Sequence, residues 1–273
     1  MIEFEILMRG RYQPMQLVVE YNPLLHMSIT PGMQMLMDEL WRQKMIVAQE
    51  KGFLLFDGSL FRLMQAESRA DEMLHIVVGD TSYKEYIVTR VPEFAQALAR
   101  QELSNPLSVC SVIETSDGCI LIEKRQGTDV YNGRYHVIGG FMERGLDIIE
   151  HLPDPFGAIK REIREETGIQ ISDIRGQYCL GVVYDTVMPH PELCFVTLLT
   201  IPLSEVLTRE PEDNEVKQLL SLNVTAESLK EFISSNHGNI SATGEANLIM
   251  YGGWKFGEAW FEDVMRSVEN TIS

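Results

Sequence analysis

Apolar and polar positions change period several times along the chain. Ile2–Met8 and Met15–Glu20 have strand character, each followed by Pro or Asn punctuation. Pro31-Gly32 then opens a run in which Met33, Leu36, Met37, Leu40, Trp41 and Ile46 recur at near-helical spacing, and Gly52 stops it. The methionines there read as adaptable core. Phe53–Phe56, Leu60–Gln65 and Met73–Val78 predict three further strands, the first two joined by a hairpin-type turn at Asp57-Gly58. A helix is predicted from Pro92 to Glu102. Ser104-Asn105-Pro106 then reads as a boundary between an N-terminal α+β unit, 1–104, and a second unit, 105–273.

From Leu107 the pattern changes. Ser108–Glu114 and Ile120–Lys124 are apolar strands around the polar turn Thr115-Ser116-Asp117-Gly118. A loop with Gly127, Asn132 and Gly133, a short strand, Gly139-Gly140 and a charged helix from Pro155 to Thr167 follow. Gln177–Asp185 and Leu193–Ile201 read as strands, and Glu210–Glu215 as an acidic loop. Ala226–Ser234 reads as a helix, with two more before Ser273. No internal repeat is present. This order fits a layered α/β or α+β architecture.

The 273 residues suffice for two domains at roughly 150 residues each. With 45% hydrophobic and 23% charged residues the composition is that of a globular protein. The net charge of −17 argues against nucleic acid and anionic membranes as partners. It also demands local cations or a metal ion wherever a phosphorylated substrate is to bind. Cys110, Cys119, Cys179 and Cys194 lack CxxC spacing and read as buried thiols of a reducing compartment. Met1–Glu5 has no basic region leading into an apolar core, and no stretch reaches the ~18 apolar residues of a membrane span. The expected location is cytoplasmic.

The chemistry concentrates in Arg161-Glu162-Ile163-Arg164-Glu165-Glu166-Thr167-Gly168-Ile169. Asp154 suits an N-cap, Pro155 the first helical position and Gly168 a left-handed C-terminal position. Phe156, Ile159 and Ile163 form an apolar stripe. Glu162, Glu165 and Glu166 fall within about 100° of arc beside it. Glu-rich helices are usually solvated faces laced with salt bridges, and Lys160, Arg161 and Arg164 could serve that end. The fixed string R-E-apolar-x-E-E-x-G-apolar nevertheless arises by chance in only about one chain in 10⁴–10⁵. Crowded carboxylates are relieved by hard divalent cations such as Mg²⁺. The Gly-Gly turn just upstream can lend a backbone carbonyl to such a site.

This string resembles the helix half of the Nudix box, G-x5-E-x7-R-E-U-x-E-E-x-G-U with U apolar, and Gly139–Gly145 resembles its strand–loop half. The usual count back from Arg161 places the first Glu at Pro153 and the first Gly at Asp147. An insertion of about eight residues therefore separates Gly145 from Asp154, and the first box Glu is lost or replaced by Asp147 or Glu150.

The resemblance implies a Nudix α/β/α sandwich with a mixed sheet beside a smaller N-terminal α+β domain. It implies hydrolysis of a nucleoside diphosphate linked to a second moiety, with Mg²⁺ held by Glu162, Glu165, Glu166 and the Gly139 carbonyl, Mn²⁺ being able to substitute. Arg161 would orient a glutamate and tie helix to loop. The general base would be a box glutamate such as Glu162 or Glu166, or Glu215 from the acidic loop.

A narrower resemblance, in Phe56-Asp57-Gly58, Phe61-Arg62-Leu63, Gly79–Tyr86 and Asn105-Pro106-Leu107, is to the branch that splits UDP-glucose and UDP-galactose. It implies a UDP-sugar substrate giving UMP and a sugar 1-phosphate, with Arg62, Tyr83 and Lys84 as binding candidates. Arg125 is a phosphate contact by position, and Arg134 and His136 precede the Gly-Gly turn. Alternatives are another nucleotide substrate (ADP-ribose, a dinucleoside polyphosphate, an oxidised nucleoside triphosphate) or a Nudix module that senses a nucleotide without cleaving it. The expected partner is a small-molecule nucleotide, with a homodimer as an open assembly.

Overall fold

The computed structural model describes residues 1–51, 55–68, 72–126, 130–212 and 218–270. Before residue 104 the chain forms β1 (Phe4–Tyr12), β2 (Leu17–His26), α1 (Pro31–Lys51), β3 (Ser59–Ser68), β4 (Leu74–Ser82), α2 (Tyr83–Thr89) and the single turn α3 (Pro92–Ala95). Then come β5 (Ser108–Glu114), β6 (Cys119–Lys124), β7 (Tyr135–His136), β8 (Ile138–Phe141), β9 (Ile148–Ile149), β10 (Leu152–Pro153) and α4 (Pro155–Thr167). β11 (Ile174–Asp185), β12 (His190–Leu199), α5 (Leu203–Val206), β13 (Leu219–Asn223), α6 (Ala226–Asn236), α7 (Ala242–Phe256) and α8 (Glu258–Asn270) complete it.

The large sheet runs β1-β11-β12-β5-β6-β13, with β8 added to β5 and β7 to β6. It is mixed because β12 and β5 are parallel while their neighbours pair antiparallel. β5 and β12 are central and covered on both faces, so successive residues are buried along nearly their whole length rather than alternately. One core joins the sheet to Phe156, Ile159 and Ile163 of α4 and to Phe61, Leu74, Ile76 and Val78 of the small β2-β4-β3 sheet. The other face is closed by Leu229, Ile233, Leu248, Ile249, Val264 and Val268 from α6, α7 and α8. The layers are therefore α/β/α. Among the described residues no helix is long and apolar enough to cross a membrane.

Three local expectations change. β1 lies well before residue 104, yet it pairs antiparallel with β11 as an edge strand of the large sheet. The chain's first twelve residues thus share a sheet with residues beyond 105. Residues 55–58 form no strand, and Gly52, Phe53 and Leu54 lie outside the described residues. The Asp57-Gly58 step is recruited to the start of α2 instead of turning a hairpin. Asp57 Oδ1 accepts from Lys84 N (2.9 Å) and Gly58 O from Tyr83 N (3.0 Å). The helix expected over Pro92–Glu102 is split into α3 and a turn at Arg100–Glu102, where Ala99 N donates to Glu102 Oε2 at 2.8 Å.

A buried acid at the end of β11 makes the fold sensitive to pH. Asp185 is fully buried, and its Oδ1 accepts from the Tyr131 hydroxyl (2.9 Å) and from the amides of Val187 (2.8 Å) and Met188 (2.7 Å). Burial outweighs those bonds and pushes the carboxyl up to about 7. An unfolded Asp titrates near ~3.9. Between these values the folded chain binds more protons than the unfolded one, so stability falls as pH rises from about 4 to about 7, then levels. Urea unfolding from pH 4 to 8 should therefore show wild type losing roughly 2–4 kcal/mol relative to Asp185→Asn, which does not titrate.

Candidate active site

Helix α4 forms where its sequence says it should. Pro155 occupies the first turn, and Gly168 closes the other end at φ 72°, a left-handed conformation that costs a β-carbon strain, with its amide on Arg164 O. Asp154 stands at the N-cap position, but its carboxylate makes no capping hydrogen bond. The stripe of Phe156, Ile159 and Ile163 is buried, and Phe156 meets Phe195 edge-to-face at 5.0 Å. Burial of this kind contributes roughly 1.5–3 kcal/mol per side chain and fixes the helix's rotation. That rotation carries Glu162 and Glu166 inward as well, to 8% and 5% exposure.

Arg161 makes such a concentration of acid tolerable. Its Nε and Nη2 donate to Asp147 Oδ1 and Oδ2, both at 2.8 Å. The same guanidinium reaches Glu162 Oε1 (2.9 Å) and Glu165 Oε2 (2.9 Å). Burial works against its charge, but the bonds from Asp147 and the charges of Glu162 and Glu165 win and raise its pKa. Of the two acids offered by the insertion, Asp147 is the one that engages Arg161, while Glu150 is exposed at the hairpin tip with φ 51°. The insertion leaves this geometry intact because it closes on itself: Asp154 N donates to Asp147 O at 2.9 Å, and β9 and β10 pair as a two-stranded hairpin between them.

The strand half of the site faces α4. Gly139 and Gly140 lie on β8, opposite Cys110 and Val109 of the antiparallel neighbour β5. A β-carbon on Gly140 would stand 2.5 Å from Glu162 Oε1, so only glycine lets this carboxylate rest against the strand backbone. The following loop is fastened by the small sheet. Phe61 N donates to Met142 O (3.2 Å) and Arg144 N to Ser59 O (2.9 Å). The Arg144 side chain reaches Leu60 O (3.1 Å) and Asp80 Oδ2 (2.6 Å).

A profile described as NUDIX domain matches residues 104–241, just over half of the chain. The chain belongs to the Nudix family. Members of this family are hydrolases of nucleoside diphosphate-linked substrates that generally use divalent metal ions.

Solved Nudix structures resemble it at low identity. A Deinococcus radiodurans protein is 18% identical, covering 53% of this chain and 80% of its own, with a TM-score of 0.36. A Francisella tularensis bifunctional NMN adenylyltransferase/ADP ribose pyrophosphatase is 15% identical over 62% of this chain and 45% of its own, with a TM-score of 0.41. A C. elegans Ap4A hydrolase is 13% identical over 55% of this chain and 99% of its own, with a TM-score of 0.37. Likeness at this level says nothing about the substrate of this chain. A comparison with curated proteins finds no match.

The Nudix domain gathers some of the expected residues and disperses others. Glu162, Glu165, Glu166, Arg161 and the Gly139-Gly140 strand come together. Glu215 lies outside the described residues. The loop leading to it docks on α4 through Arg164 Nε to Glu212 Oε1 (2.9 Å) and Glu212 N to Glu165 O (2.8 Å). Tyr83 approaches the site, its ring 6.4 Å from that of Phe141, which follows Gly140.

Arg62 is 3% exposed and donates to the carbonyls of Leu103 and Gln101, so it holds the boundary segment in place. Lys84 is tied to Asp38 of α1 at 2.7 Å, and Arg125 to Glu123 (3.2 Å) and Val130 O (3.1 Å). Arg134 pairs with Glu3. His136 is buried and held neutral, burial and the charge of Arg125 pushing its pKa well down, and its Nδ1 faces the Ser241 hydroxyl at 2.5 Å. Sequence reading assigned no role to Arg144 or Asp80, though both sit inside the quoted stretches.

The donor set fits a hard divalent cation. It is all oxygen, and the seat of Glu162 on bare Gly140 backbone brings carboxylate and strand into one place. Among the described residues no three acidic, histidine or cysteine side chains are already drawn into a cage, because Arg161 engages Glu162 and Glu165 directly.

If Asp147 anchors Arg161, Asp147→Asn should destabilise the fold by roughly 1–3 kcal/mol, since it weakens a buried two-point ion pair. Asp147→Glu should recover part of that. Urea denaturation of the three proteins checks it.

Proposed function

We propose that this protein is a divalent-metal-dependent Nudix hydrolase that cleaves the diphosphate of a UDP-sugar to UMP and a sugar 1-phosphate. The observation that carries the hydrolase reading is the seat of Glu162 against Gly140, with Glu165 and Glu166 on the same helix. The UDP-sugar reading is supported by the likeness of Gly79–Tyr86 to that branch and by the position of Tyr83 beside Phe141.

Water attacks one phosphorus, the bridging P–O bond breaks, and the leaving phosphate takes the electron pair. Bound at Glu162, Glu165, Glu166 and the Gly139 carbonyl, a Mg²⁺ or Mn²⁺ ion would neutralise phosphoryl charge and lower the pKa of an attacking water. The chain's own residues set the stage. Glu162 and Glu166 are shielded from bulk water, which strengthens their fields. Arg161 holds Glu162 and Glu165 in register with the loop through Asp147. A carboxylate of the box, or Glu215, accepts the proton that the water gives up. With a net charge of −17 the surface repels the substrate, so local compensation decides whether it binds.

Activity should vanish in EDTA and return with Mg²⁺ or Mn²⁺. Turnover after exhaustive chelation would sink the mechanism. Glu166→Gln should lower kcat by roughly 10²–10⁴ while circular dichroism stays unchanged. A panel of UDP-glucose, UDP-galactose, ADP-ribose and a dinucleoside polyphosphate tests the substrate. Cleavage of ADP-ribose but not UDP-glucose would leave only the Nudix hydrolase.

A further inference from the structure

The junction between β4 and α2 grips the segment that leaves the Gly-Gly strand at two points. On one side Asp80 Oδ2 takes Arg144 Nη1 at 2.6 Å while Thr81 O takes Nη2 at 3.4 Å. Asp80 is itself oriented by the Tyr21 hydroxyl on Oδ1 at 2.8 Å. On the other side Tyr83 and Tyr86 pack their rings against Phe141, at 6.4 and 5.4 Å between centroids. The junction is stiff in its own right. Ser82 caps α2, Glu85 Oε2 accepts from Thr81 and from Ser82 N, and Lys84 bonds to Asp38. The two grips hold the ends of Phe141–Arg144, the first part of the segment that connects Gly139-Gly140 to Asp147. Met142 N is on Leu107 O (2.9 Å), and Leu107 N is on Phe61 O (2.8 Å), so β3 is woven into the same segment.

We infer that the β4–α2 junction is a brace for the metal-binding loop, with Asp80 and Arg144 as positioning residues. The strand bearing the Gly139 carbonyl is short, and the loop after it is irregular. Pairing with β5 holds the strand on one side, and Asp147 ties the far end of the loop to Arg161, which leaves Met142–Leu146 to be fixed from elsewhere. The Asp80–Arg144 pair, only partly exposed, supplies that restraint from another sheet. The stretch Gly79–Tyr86 then acts on the site largely through the loop. This inference rests on the metal reading proposed above.

The test compares wild type, Asp80→Asn, Asp80→Glu and Tyr21→Phe. Amide exchange of the metal-free proteins is followed by mass spectrometry, and Mn²⁺ affinity by electron paramagnetic resonance. Asp80→Asn should raise exchange at 141–146 about tenfold, with β5 and β12 unchanged. It should weaken Mn²⁺ binding about fivefold or more and lower kcat about tenfold, with KM for the cleaved substrate within twofold. Asp80→Glu should restore part of each, and Tyr21→Phe, which leaves Arg144 its partner but removes the bond that orients Asp80, should shift each in the same direction as Asp80→Asn and by less.

Unchanged exchange at 141–146 overturns the brace. Looser exchange with unchanged Mn²⁺ affinity overturns its service to the metal, and a rise in KM at constant kcat makes Asp80 a substrate contact instead. If wild type binds no Mn²⁺, the metal reading fails and exchange alone decides the brace. Should Asp80→Asn not fold, Arg144→Gln reads the same pair from the loop side.

Discussion

One guanidinium holds the site together. Arg161 is the meeting point of Asp147, Glu162 and Glu165, and it offsets the repulsion among acids that α4 carries beside its apolar stripe. Burying carboxylates is costly unless they are paired and hydrogen-bonded. The two-point bond to Asp147 meets that condition and ties the helix to the loop leaving the Gly-Gly strand. The apolar stripe sets the helix's rotation about its axis, while the ion pair sets its register against that loop. Both are needed for Glu162 to reach Gly140.

The small sheet contributes in the same currency of restraint. β3 lies between the segment at 105–107 and the loop at 142–144, bonding to each. Arg62, buried beneath it, holds the carbonyls of Gln101 and Leu103. A strand that precedes the matched region in sequence is thus inserted into the framework of the site, and β1 does the same at the far edge of the large sheet. The two halves of the chain are folded through one another as much as side by side.

What could be read from the sequence follows from the range of the forces involved. Helix α4, its stripe and its glutamates were legible because helical periodicity and end signals are local. Central strands were legible because burial on both faces leaves an apolar run. Residues 55–58 and the helix through Glu102 depart from the sequence reading because side chains and carbonyls distant in sequence decide those segments. Arg62 reads as a binding candidate from its type and neighbours, while its burial and its bonds to the carbonyls of Gln101 and Leu103 depend on a segment some forty residues away, which no local pattern reveals. Asp147 was one of two candidates that spacing could not separate, and the side chain of Arg161 chose between them.

The hairpin inside the box bears on what a motif is. Asp147 and Asp154 are neighbours through a backbone hydrogen bond, so the six residues between them are an excursion that returns to its starting point. The two ends of the excursion are adjacent in space although six residues separate them along the chain. A signature written as fixed residue counts measures the wrong length for such a protein. The same closure makes the excursion a natural port: the chain can be lengthened or shortened there at the expense of loop entropy alone, which grows slowly with length.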